Sequence, residues 1–317
     1  MLPLTVPQQA TAIRPAWSEL SADVRTLIET YCGAAVVAAE SMGAGFTPGF
    51  ASRMRLADGR RVFVKAADEA TRSLFADSYR EEIGKLRVLP DAIPAARLLW
   101  SHDADGWVVL GLEDIDGRHP ERPWRPDQLE LVLRCLDRTA ELLTPAPDDY
   151  PWPALQGFLL DEPSYWHEVR DGGYAPEWLR PHLAECERLA VVGDDAMAGD
   201  ALVHADVRDD NVLIDGDGDV WLCDWNWPLK GNPAIDAIGV LVSASGDGLD
   251  ADAWIARCET TRSVDPEAID GIVSLLAGYF WAACHQPSPE TSPWLRTHQR
   301  WYAEAAGGWL AKRRGWR

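Results

Sequence analysis

The stretch that most constrains the fold runs from Leu202 to Trp227 and reads LVHADVRDDNVLIDGDGDVWLCDWNW. Two short hydrophobic runs, Asn211–Ile214 and Val220–Cys223, flank the cluster Asp215-Gly216-Asp217-Gly218-Asp219. Runs of that length broken by Asp and Gly predict a β-hairpin. The residues with chemistry to offer stand at its two ends. His204, Asp206, Arg208 and Asn211 precede the first strand, and Asp224 follows the second. A hairpin brings its ends together, so Asp206, Asn211 and Asp224 should converge on one small volume. A carboxylate to orient a hydroxyl, beside an amide and a second carboxylate able to hold magnesium, is what phosphoryl transfer from a nucleotide requires.

His204-x-Asp206-x-x-x-x-Asn211, with Asp224 beyond the hairpin, resembles the catalytic and metal-binding loops of the protein-kinase-like fold. The wording HADVRDDN…CDWNWPLKGNPAID is most similar to the aminoglycoside phosphotransferase family, small-molecule kinases often found as antibiotic-resistance enzymes. The resemblance implies an α+β, bilobal fold. A small β-rich nucleotide-binding lobe would span residues 1–112, opening with a loose lead-in and a helix. A larger, mainly helical lobe with the catalytic loop and substrate site would span 113–317. The resemblance also implies Mg2+, ATP or GTP as phosphoryl donor, and a small-molecule hydroxyl acceptor. The Pro-Gly that commonly precedes the Asn in this family is missing here, which leaves the acceptor open.

Upstream, Trp17 to Tyr31 places Leu20, Val24, Leu27, Ile28 and Tyr31 at helical spacing, with Gly33 as the stop. Three strand patterns follow, Ala35–Ala39, Phe50–Leu56 and Arg61–Ala66. The first two are joined by Gly43-Ala44-Gly45-Phe46-Thr47-Pro48-Gly49. Glycines such as Gly43 and Gly45 let backbone N–H groups approach phosphate oxygens, although an ordinary hairpin turn would look the same. No Gly-Lys-Ser/Thr follows, so this is not a Walker-type loop. Lys65 ends the third pattern where the family carries its phosphate-anchoring lysine, and that lysine needs an acidic partner. The helix over roughly 69–89 supplies Glu82, with Glu81 as the alternative. Strands Ala96–Ser101 and Trp107–Leu112 then give way to helices. By the resemblance that transition is the hinge, where main-chain groups around Leu110, Leu112 and Asp114 would hold the adenine. Helices are expected over Pro126–Leu143, Glu177–Leu189, Asp194–Leu202, Leu249–Thr261, Pro266–His285 and Pro293–Arg314.

By the same resemblance, Asp206 would accept a hydrogen bond from the acceptor hydroxyl, and Asn211 and Asp224 would ligate magnesium. His204 would brace the backbone near Asp224, and Asp236 would close the loop structurally. Arg208 would neutralise charge on the transferring group, unless it is spent on a salt bridge to Asp209 or Asp210. Trp152, Trp166, Trp227, Asp236 and Glu259 are further candidates to line the acceptor pocket. Only eleven residues separate Asp224 from Asp236, and none is Ser, Thr or Tyr. That disfavours a protein kinase, which docks its peptide on a longer regulated segment. An inactive nucleotide-binding protein of the same fold is the other alternative, opposed by the presence together of Lys65, Asp206, Asn211 and Asp224.

A net charge of −20 repels nucleic acid and anionic membranes and steers cationic partners inward. No run of about 18 apolar residues exists to span a membrane, and the N-terminus lacks the layout of a secretion signal. Six scattered cysteines without a CxxC pair read as reduced thiols in a cytoplasmic protein. Nothing in the sequence addresses oligomeric state.

Overall fold

The computed structural model describes residues 1–3, 6–7, 11–159 and 165–316, so the lead-in over 1–16 falls partly outside the described residues. A short 3-10 turn precedes helix α1 (Ala22–Cys32), which begins later than the apolar spacing predicts. Ser21 is the reason. Its hydroxyl accepts the Val24 N–H and caps the helix there, and Gly33, at φ 68°, ends it in the left-handed conformation.

Strands β1 (Val36–Ser41), β2 (Phe50–Leu56) and β3 (Arg61–Asp68) form the expected meander. Helix α2 (Glu69–Leu86) follows, then β4 (Leu98–Ala104) and β5 (Trp107–Glu113). The five strands make one antiparallel sheet in the order β1-β2-β3-β5-β4. Side chains alternate across it. Val62, Val64 and Ala66 of β3 pack with Val24 and Ile28 of α1 on one face. Phe63 and Ala67 turn to the other face, where Ala76, Tyr79 and Ile83 of α2 meet Val108, Leu110 and Leu112. Lys65 shares the parity of Phe63 and Ala67, so the strand period puts it on the α2 side, where Glu82 follows Tyr79 by one helical turn.

The chain crosses to the helical lobe through β6 (Gly117–Arg118), followed by α3 (Pro126–Leu142), α4 (Tyr165–Asp171) and α5 (Leu183–Ala196). Next come β7 (Ala201–Val203), β8 (Val212–Asp215), β9 (Val220–Leu222) and β10 (Leu229–Gly231). The last helices are α6 (Ala234–Gly246), α7 (Ala251–Ile255), α8 (Pro266–Ala283) and α9 (Leu295–Arg314). Strands β8 and β9 form the anticipated hairpin, with β6 on its outer edge, and β7 pairs with β10.

Two expectations are corrected, and one helix, α6, comes without any. Glu177–Leu189 and Asp194–Leu202 are not two helices: one helix, α5, spans the gap, and 201–203 is a strand. Gly193 does not break α5 but lets it meet α8, since a Cβ there would lie 2.2 Å from the Gly271 carbonyl carbon. Helix α6 is apolar on every side and buried, so it has no periodic face to betray it. Helix α7 is five residues long rather than spanning Leu249–Thr261. Beyond it, the Asp137 carboxylate accepts the N–H groups of Glu259 and Thr260 and holds that segment in a turn.

Candidate active site

The loop after β7 is fixed from below by α6. Asp236, in the first turn of that helix, accepts the backbone N–H groups of His204 and Ala205, both at 2.8 Å. Ala205 adopts φ 62°, a left-handed conformation that a non-glycine residue takes only when its surroundings impose it. The His204 ring is buried, and burial lowers its pKa. Its Nε2–H donates to the Cys223 carbonyl at 2.9 Å, and its Nδ1 accepts the Asp206 N–H at 3.3 Å. One neutral imidazole thus staples the loop before the hairpin to the segment after it.

Asp206 stands at the centre. Asn211 Nδ2 donates to its carbonyl at 2.9 Å and to its Oδ2 at 3.0 Å, and Arg208 pairs with its Oδ1. Burial pushes the Asp206 carboxyl up to about 6, with Arg208 working against the rise. Arg208 also reaches Asp210 at 3.0 Å, so it bridges two carboxylates. Asp209 turns away to Arg122, which in turn grips Asp247.

Beyond β9, Asp224 also takes a left-handed backbone, φ 64°. Its Oδ1 lies 3.0 Å from Lys65 Nζ, and the same ammonium meets Glu82 at 2.7 and 2.9 Å. Glu82 is 1% exposed and Lys65 11%. Burial works against the Lys65 charge, but Asp224 and Glu82 more than reverse it and hold the group protonated far above any physiological pH. Burial likewise opposes ionisation of Asp224, and Lys65 overcomes it, keeping that carboxyl below its ordinary range. Glu81 is not on the cleft wall; its exposed carboxylate pairs with Lys85, whose buried ammonium also donates to the Asn226 carbonyl.

Lys65, Glu82, Asn211 and Asp224 line one cleft between the lobes, together with Gly45, Leu112 and Asp114. Gly45, at φ 79°, makes the turn between β1 and β2 that edges the cleft. Gly43 and Leu110 are not on its wall: the Gly43 carbonyl is taken by Thr11, and Leu110 lies in the core between sheet and α2. Asp206 and Arg208 sit just beyond the wall, next to Asn211. Two oxygen donors of hard character, from Asn211 and Asp224, fit an ion that draws its remaining ligands from phosphates and water, as magnesium does. No set of three or more His, Cys, Asp or Glu side chains arranged for a metal occurs among the described residues. Of the further acceptor candidates, Trp166 is core, donating to Ser274, and Asp236 is buried beneath the loop. Trp152 donates to the Pro147 carbonyl, and Glu259 pairs with Arg262. Trp227 is 53% exposed, with Phe158 beside it.

The model of the APH phosphotransferase enzyme family matches residues 47–269. The chain belongs to that family. It is a phosphotransferase with an alcohol group as acceptor, on a bilobal α+β fold of the protein-kinase-like type. Among solved structures, APH(2")-IIia in complex with GDP and kanamycin superposes with a TM-score of 0.64 at 14% identity, covering 93% of this chain and 99% of that one. The aminoglycoside phosphotransferase APH(4)-Ia, with ADP and hygromycin B, gives 0.59 at 12% identity over 92% and 98%. The choline kinase LicA of Streptococcus pneumoniae gives 0.55 at 12% over 90% and 100%. Among curated proteins, U-box domain-containing protein 4 of Oryza sativa subsp. japonica is 35% identical over 86 residues. That match takes in 27% of this chain and 12% of that protein, so the chain spans about an eighth of the relative's length. Among the described residues, no helix of this phosphotransferase is long and apolar enough to cross a membrane.

Two of the site's neighbours escape sequence reasoning. Arg14, on the cleft wall, comes from a lead-in with no periodicity. Tyr79 precedes Glu82 by one helical turn and also lines the cleft, a spacing that carried a signal.

Proposed function

We propose that this phosphotransferase moves the γ-phosphoryl group of a magnesium-bound nucleoside triphosphate to a hydroxyl group of a cationic small molecule, an aminoglycoside-like antibiotic or amino sugar. The observation that carries this reading is the convergence of Lys65, Glu82, Asn211 and Asp224 on one cleft, with Asp206 beside it. In this reading residues 1–112 hold the donor, and residues 113–317 supply the catalytic loop and the acceptor site. Main-chain groups between Leu110 and Asp114 hold the base, the turn bearing Gly43 and Gly45 covers the phosphates, and Lys65 anchors them. Asn211 and Asp224 hold the magnesium ion, which when bound neutralises charge on the phosphate oxygens. Asp206 accepts a hydrogen bond from the acceptor hydroxyl and aims its oxygen at the γ-phosphorus. As the new oxygen–phosphorus bond forms, the bond to the β–γ bridging oxygen breaks, the diphosphate leaves and the hydroxyl proton passes to Asp206. A carboxylate titrating near 6 is ionised at neutral pH yet more basic than an ordinary one. Arg208, spent on Asp206 and Asp210, steadies the Asp206 carboxylate.

The cationic acceptor is supported by the net charge of −20 and by the kanamycin, hygromycin B and choline named for the related structures. A cytoplasmic setting and a role in antibiotic resistance belong to the same reading; the six cysteines, all free thiols, support the first. The test is nucleoside-diphosphate release from Mg·ATP and Mg·GTP, without acceptor and then with aminoglycosides, amino sugars and choline, beside Asp206→Ala. Acceptor-dependent release that the variant loses is expected. Release by the variant at the wild-type rate would overturn the mechanism.

A further inference from the structure

We propose that Arg14, reaching in from the N-terminal segment, is a ligand of the donor's phosphate chain. The inference rests on the nucleotide reading of the cleft and adds a contact that none of the motif residues supplies.

The segment around Arg14 is held on both sides. Thr11 donates its N–H to the Gly43 carbonyl at 2.9 Å and its hydroxyl to the carbonyls of Gly43 and Gly45. Ile13 donates its N–H to the Thr291 carbonyl of the helical lobe at 2.8 Å. From that brace the Arg14 guanidinium enters the cleft lined by Lys65, Asn211 and Asp224, and its Nη2 donates to the Ala44 carbonyl at 2.8 Å. The fit against the turn is close: a Cβ at Gly45 would lie 3.2 Å from Nη2.

Unlike Arg53, which shares the cleft wall and pairs with Asp114, Arg14 has no anionic partner. Arg122, Arg208 and Arg313 are each satisfied by two carboxylates. Arg14 makes no ion pair among the described residues, and its Nε is buried without a hydrogen-bond partner. Burial pulls its pKa down, and Tyr79, Asp224 and Asp210 only partly restore it. An unpaired guanidinium in a chain of 50 acidic residues is an unmet demand for an anion. The donor is that anion. Lys65 cannot meet it alone, because Glu82 and Asp224 already set two negative charges against its one. A guanidinium without a carboxylate partner is suited to phosphate oxygens.

The experiment compares wild type, Arg14→Gln and Arg14→Lys, each checked for an unchanged melting transition. Kd is measured for Mg·ATP, Mg·ADP, AMP and adenosine. Arg14→Gln should weaken ATP by about ten- to a hundredfold, the worth of one charge-assisted contact, and ADP and AMP by less. Adenosine should bind as to wild type, and Arg14→Lys should recover part of the loss for ATP. A loss equal for ATP and adenosine would make Arg14 a packing residue and overturn the inference, as would no loss for any of the four. If wild type itself bound none of them, the nucleotide reading would fail first and the inference with it.

Discussion

The ammonium of Lys65 lies 3.0 Å from a carboxylate oxygen of Asp224, although the two stand 159 positions apart in the chain. The contact joins the sheet of the small lobe to the segment after the hairpin of the large one. Glu82 completes a three-charge cluster, so the site carries net negative charge before any ligand arrives. On the proposed reading a nucleotide must displace or share Lys65, which would couple its binding to how the lobes meet.

Removing that ammonium should cost stability as well as turnover. In Lys65→Met, Glu82 stays buried with no cation, and breaking a pair of this kind costs about 3 kcal/mol. The double variant Lys65→Met/Glu82→Gln should regain part of the loss, because an amide needs no counter-charge. Glu81→Gln, whose carboxylate is 63% exposed, should cost under about 1 kcal/mol. Urea unfolding of the four proteins reads this, and equal losses for Glu81→Gln and Lys65→Met would contradict the pairing.

Transfer should need Asp206 ionised. With its carboxyl at about 6, kcat/KM should hold steady above neutrality and fall below pH 6, approaching tenfold for each unit. The sign follows from the role: a protonated carboxyl donates where the acceptor hydroxyl also donates, and it cannot take the proton. A profile flat from pH 5 to 8 would remove Asp206 from that role.

The same carboxylate should weigh on stability. Its folded pKa lies above the unfolded value of about 3.9, so between those two values the folded chain holds a proton that the unfolded chain has released. Stability from this group is therefore greatest at acid pH and is lost as pH rises through about 6. Asp206→Asn removes the burden while leaving Arg208 its bond to Asp210. With the side chain 26% exposed, the gain at pH 7.5 should be of order 1 kcal/mol. It should shrink at pH 5. A variant less stable than wild type at pH 7.5 would show that the Arg208 and Asn211 contacts outweigh the desolvation.

Sequence reasoning brought residues together correctly where local pattern and chemistry coincide. Asp206, Asn211 and Asp224 were legible because a hairpin constrains its own ends. Lys65 was legible because lysine is rare here and stands in an alternating strand. Glu82 needed the helix register, which separates it from Glu81 by 100° of rotation. Arg14 was invisible, since its position depends on contacts from Thr11 to Gly43 and from Ile13 to Thr291, and no local period encodes them. Helix α6 hid for the opposite reason: buried on all sides, it offers no contrast between faces.

Asp236 shows how that hidden helix serves the chemistry. Its two carboxylate oxygens accept the N–H groups of His204 and Ala205 and hold the latter at φ 62°. In Asp236→Asn one oxygen becomes an NH2 group facing a donor, so one buried N–H loses its partner, at about 2 kcal/mol. The strained turn should then relax and carry Asp206 away from its position. The expected outcome is a lower melting temperature and kcat reduced at least tenfold. Nucleotide Kd measured without magnesium should stay close to wild type, because Lys65 has its partners on α2 and after β9 rather than on this loop. A Kd that rose in step with the fall in kcat would mean that the loop after β7 and the nucleotide cleft move as one unit.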